Sequence, residues 1–103
     1  GYVTGTAACA KGGVTSIMEM PLNQIPATVD GKSIEIKYAA GKDSLKVDVA
    51  SYGGLVQFNL KGGIQDLNDN GVAAYKCFLG TCGDRTIDGD FENVDDDSLY
   101  MKE

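Results

Sequence analysis

Residues 33–61, Ser33-Ile34-Glu35-Ile36-Lys37-Tyr38-Ala39-Ala40-Gly41-Lys42-Asp43-Ser44-Leu45-Lys46-Val47-Asp48-Val49-Ala50-Ser51-Tyr52-Gly53-Gly54-Leu55-Val56-Gln57-Phe58-Asn59-Leu60-Lys61, carry the most regular patterning in the chain. Ile34, Ile36 and Tyr38 alternate with Glu35 and Lys37; Leu45, Val47 and Val49 alternate with Lys46 and Asp48; Val56, Phe58 and Leu60 alternate with Gln57, Asn59 and Lys61. Successive strand side chains point to opposite faces, so three period-2 runs predict an antiparallel meander with one buried face. Charge refines the register of its first hairpin. A two-residue turn at Gly41-Lys42 would set Lys37 against Lys46 and Glu35 against Asp48, both repulsive pairs. A four-residue loop, Gly41 to Ser44, instead pairs Lys37 with Asp48, Tyr38 with Val47 and Ile36 with Val49, and is the expected arrangement.

Turn signals extend the pattern in both directions. Gly12-Gly13, Asp30-Gly31, Gly53-Gly54, Gly62-Gly63, Asn70-Gly71 and Asp88-Gly89 leave room for short strands between them, which predicts a mainly β chain, a small antiparallel β-sandwich or barrel-like domain. Tyr2–Cys9 and Val14–Met20 read as strands, although Thr6 to Gly12 also fits a helical turn ending at glycine. Met20-Pro21 and Ile25-Pro26 interrupt regular structure, so residues 20–27 read as an edge or crossover connection. Asn70 as N-cap and Gly80 as terminator predict a short helix over 71–79, one of at most two. The 103 residues fit one domain.

The net charge of −6 is local. Residues 1–83 carry seven acids and seven lysines, whereas residues 84–103 carry eight acids against Arg85 and Lys102. Ile87, Phe91 and Val94 recur at helical spacing within the acidic segment, which is expected to dock onto the body. A neutral body with an acidic end excludes nucleic-acid and anionic-membrane partners, and no apolar run is long enough for a membrane span. A protein or cell-surface partner, a basic one facing the acidic end, is the expected ligand.

Chemistry is restricted by what the chain lacks. It has no histidine and no tryptophan, and Arg85 is its sole arginine. Histidine-based triads and general bases are therefore unavailable within it. Cys9, Cys77 and Cys82 lack the ligand count for a structural zinc site, and two of the three are expected to form a disulfide, the third staying buried or pairing with a second chain. Such a bridge points to a secreted, extracellular protein. Asp66-Leu67-Asn68-Asp69-Asn70-Gly71 matches the first half of an EF-hand loop, with oxygen donors at alternate positions and glycine at the turn. Asp66, Asn68 and Asn70, joined by Asp88 and Asp90 of the acidic segment, are the candidate calcium ligands; no other cofactor is expected. Position twelve of that loop is Cys77 instead of glutamate, which favours an Asx-rich turn. The functional expectation is a small secreted non-enzymatic binder of the toxin, effector or inhibitor kind. A calcium-binding module of a larger extracellular protein and a His-free carboxylate enzyme are the alternatives.

Overall fold

Asp30 decides the middle of the chain. Its carboxylate accepts from the Ser33 amide at 2.7 Å, while the Ser33 hydroxyl accepts from the Asp30 amide at 3.1 Å. This reciprocal capping satisfies donors that an α-helix start leaves open. A helix, α2, accordingly spans Gly31–Gly41 in the computed structural model, which describes residues 1–56 and 59–77. Beyond its first-turn residues Gly31 and Ser33, its buried positions are Ile34, Lys37 and Gly41, at helical spacing. The alternation of Ile34, Ile36 and Tyr38 is thus not a strand pattern: Ile36 and Tyr38 are exposed. The Tyr38 hydroxyl donates to the Gly71 carbonyl at 2.9 Å.

The element order is α1 (Tyr2–Lys11), β1 (Ser16–Glu19), α2, β2 (Asp48–Leu55), α3 (Gly63–Asp69) and β3 (Ala74–Cys77). The three strands among the described residues are parallel, in the order β1-β2-β3, with Ser16 opposite Asp48 and Tyr52 opposite Ala74. Parallel neighbours cannot be joined by a tight turn, and α2 and α3 are the crossovers they require. The expected antiparallel sandwich or barrel with its central meander is therefore corrected to an α/β arrangement. The Gly41–Ser44 hairpin and its register vanish with it, because Lys37 is helical. The helix expected over 71–79 is corrected as well, since Ala74–Cys77 is a strand.

Gly53-Gly54, read as a turn, lies inside β2. A Cβ on Gly53 would stand 2.9 Å from Leu67 Cδ1 and 3.3 Å from Tyr75 Cδ1, so glycine here permits close approach of α3. Gly62 at φ 86° and Gly71 at φ 83° bracket α3 and supply the left-handed turns at its two ends. Alternation along the strands then assigns two faces. Glu19, Ser51, Gly53 and Tyr75 face the helices: Glu19 meets Lys37, and the Tyr75 hydroxyl donates to the Ile64 carbonyl of α3 at 2.8 Å. Met18, Ala50, Tyr52, Gly54, Ala74 and Lys76 face the other way, where the described residues place no helix. Met18 is 42% exposed on that open face, whereas Ile34 and Leu67 are fully buried on the covered one.

Candidate functional site

In parallel sheets, ligands bind beyond the carboxyl ends of the strands, where every crossover contributes a loop. The segment from Met20 to Asp30 forms such a rim after β1. Its ends are drawn together by the Thr28 amide, which donates to the Pro21 carbonyl at 2.8 Å, and the Gln24 amide group donates to the Ser33 carbonyl at 2.8 Å. The Gly54 amide donates to the Thr28 carbonyl at 2.7 Å, fastening the rim to β2.

Asn59 completes the attachment. Its side-chain amide donates to the carbonyls of Val29 and Gly54, both at 2.8 Å, and its side-chain oxygen accepts from the Val56 amide at 2.9 Å. One buried side chain thus replaces water for three backbone groups where no regular ladder reaches.

Lys76, at the carboxyl end of β3, lies on the open face and extends across the middle strand. Its Nζ donates to Met20 Sδ at 3.7 Å, and its β2 neighbour in register is Gly54, which adds no side chain between them. Met20 is gripped from the opposite side as well: Lys37 Nζ donates to its carbonyl at 3.0 Å and lies 3.7 Å from the Glu19 carboxylate. Glu19 also accepts from the Tyr2 hydroxyl. Burial pushes the Lys37 ammonium below its usual pKa, an effect opposed by the charge of Glu19. Burial likewise pushes the Tyr2 phenol above its usual range, and the Glu19 carboxylate adds to that rise.

The Tyr2 shift has a pH consequence. Below its ordinary value of 10.0, folded and unfolded chains both hold the Tyr2 proton and its contribution is complete. Above that pH only the folded chain keeps the proton, so stability falls with pH until the folded group ionises. Lys37 has the opposite sign: the unfolded chain binds its proton longer, so stability rises toward the ordinary lysine value of 10.5. Tyr2→Phe is therefore expected to flatten the loss of melting temperature above pH 10, measured against the parent protein across an alkaline series.

Three of the sequence-derived calcium-ligand candidates fall within the described residues. Asp66 and Asn68 lie in α3, and Asn70 caps its carboxyl end. The Asp66 carboxylate accepts from the Gly31 amide at 2.6 Å and from the Asn70 side-chain amide at 3.2 Å, tying α3 to the start of α2. Asp88, Asp90, Cys82 and the whole 84–103 segment lie outside the described residues. Cys9 and Cys77 are both free thiols, which corrects a disulfide between them. Among the described residues, no group of three or more His, Cys, Asp or Glu is placed to hold a metal ion, and no helix is long and apolar enough to cross a membrane. Lys76, Lys37, Met20 and Asn59 were not identified from the sequence. The available signal was a lone charge, Lys76, inside the apolar run Val72 to Leu79.

No protein-family model matches the chain. The chain is 74% identical over 100 residues to an allantoinase of Enterococcus faecalis (strain ATCC 700802 / V583), an alignment covering 97% of this chain and 22% of the relative. An allantoinase of Bacillus licheniformis is 72% identical over the same share, and one of Salmonella paratyphi B 54% identical. Among solved structures, the L-hydantoinase (dihydropyrimidinase) from Arthrobacter aurescens superposes with a TM-score of 0.83 at 29% identity, covering 99% of this chain and 21% of that one. The chain spans about a fifth of the length of the curated relatives it matches. These likenesses to enzymes overturn the non-enzymatic reading and, with it, the secreted toxin, effector and inhibitor expectations. A chain that spans about a fifth of its relatives' length need not hold the catalytic residues of a whole enzyme.

Proposed function

We propose that this chain forms one wall of a cyclic-amide hydrolase that opens the hydantoin ring of allantoin. The observation that carries the reading is the 74% and 72% identity to allantoinases across 97% of the chain. The fold supports it. Sequential parallel strands with both crossover helices on one face are the repeating unit of a closed β/α barrel, and the open face with Met18, Ala50, Tyr52 and Lys76 is then barrel interior.

Ring opening adds a water oxygen to a ring carbonyl carbon, breaks the carbon–nitrogen bond and delivers a proton to the departing nitrogen. The requirements are a base for the water, stabilisation of the developing oxyanion and a proton source. Among the described residues, no three His, Cys, Asp or Glu are grouped to hold a metal ion. What this chain supplies is position: the 20–30 rim borders the mouth, and Lys76 places a charged side chain there on the interior face.

The test is to assay the complete protein carrying this chain on allantoin, hydantoin and dihydrouracil, following formation of the ring-opened carboxylate. Allantoin is expected to be opened with the highest kcat/KM; opening of none of the three would refute the reading. Lys76→Met, close in length and without charge, is expected to lower kcat/KM on allantoin about a hundredfold while leaving the melting temperature nearly unchanged.

A further inference from the structure

Ser51 lies in β2 opposite Glu19, and both side chains face the helices. Its hydroxyl is buried and, among the described residues, has no hydrogen-bond partner. Leaving such a group unpaired is costly, and native structures normally satisfy it with protein or with ordered water. Lys37 presents the complementary problem on the same side of the sheet, where only 1% of its side chain is exposed. An ammonium carries three donors, and enclosing it is expensive unless they are engaged. Nζ gives one to the Met20 carbonyl at 3.0 Å, while the Glu19 carboxylate, 3.7 Å away, neutralises the charge from beyond ordinary hydrogen-bond reach. A cavity of about 30 Å³ between α2 and β2 is lined by both Ser51 and Lys37, together with Tyr2 of α1 and the apolar Leu45 and Val49. One water molecule needs roughly 10–15 Å³ of such room and two or more polar partners. The cavity meets both conditions and is far too small for an organic ligand.

We propose that this cavity is a binding site for a single structural water molecule, which accepts from Lys37 Nζ and donates to Ser51 Oγ. Its second hydrogen goes to the phenol oxygen of Tyr2, whose own proton is given to Glu19. Three hydrogen bonds are the usual complement of a buried water. The water answers both unmet demands at once and links α1, α2 and β2 through one molecule. It goes beyond the ring-opening reading and does not depend on it, because Ser51, Lys37 and Glu19 lie on the covered side of the sheet.

A high-resolution crystal structure of the complete protein is expected to show one ordered water within hydrogen-bond distance of both Ser51 Oγ and Lys37 Nζ. An empty cavity, or one filled by a side chain from elsewhere in the protein, would overturn the proposal. Thermal unfolding of the complete protein gives a second test, and its sign is decisive. In a dry cavity, S51A would remove a hydroxyl that has no partner, leaving the melting temperature unchanged or raised; either result counts against the water. With the water in place, S51A takes away one of its acceptors and is expected to lower the melting temperature by about 2 °C. Repeating the change in K37M separates this from lost packing. There the water has lost its donor, so S51A should cost at most about half of what it costs in the parent. An equal cost in both backgrounds would show that no water couples Ser51 to Lys37.

Discussion

Asn59→Leu is expected to cost about 4 kcal/mol of folding stability, the largest effect of any single substitution considered for this chain. The side chain is nearly the same size, so the loss is not one of volume. It removes the acceptor of the Val56 amide and both donors to the Val29 and Gly54 carbonyls. A buried polar group left without a partner costs roughly 1–3 kcal/mol, and three are stranded together. Asn59 also lies hard against α3, where a Cβ on Gly63 would approach Asn59 Cβ to 2.6 Å, so little room exists for water to take over. Denaturant unfolding of the complete protein measures the change. A loss below about 1 kcal/mol would show that these backbone groups find other partners.

Leu67→Ala is expected to cost about 3.5 kcal/mol. Leu67 is fully buried and fills the hollow that Gly53 leaves on the covered face of β2. Truncation loses the transfer energy of the removed methyl groups and opens a cavity between strand and helix. Gly53→Ala attacks the same contact from the other side, forcing a Cβ to 2.9 Å from Leu67 Cδ1, and is expected to cost about 2 kcal/mol. Because the two changes meet in one space, they should not add: the double variant is expected to recover about 1 kcal/mol of the summed losses. Strict additivity in unfolding midpoints would show that α3 packs elsewhere.

Several local features were legible in the residues. Val14–Met20 reads as a strand and β1 occupies Ser16–Glu19 within it; the prolines at 21 and 26 mark a connection, and that stretch is the rim. The capping potential of Asp30 and Ser33 was present in the sequence but was outweighed by the apparent alternation of Ile34, Ile36 and Tyr38. Ile34 and Tyr38, four positions apart, fit both periods, and burial at Ile34, Lys37 and Gly41 with Ile36 and Tyr38 exposed separates them. Gly53-Gly54 failed for another reason: a glycine kept for close helix approach and a glycine kept for a turn look identical in one sequence.

The sequence by itself determined that residues 20–27 form a connection, where its charge lies and that histidine chemistry has no source within it. Those are properties of residue identity and local spacing. Strand direction, the two faces of the sheet and the site at its rim were decided only by tertiary structure. Alternation is the same in parallel and antiparallel strands, and the pairing partner is set by the crossover that the hydrogen bonds and packing of α2 and α3 impose. Lys37 and Lys76 are 39 positions apart in the chain, yet folding brings both to Met20 from opposite sides of one sheet.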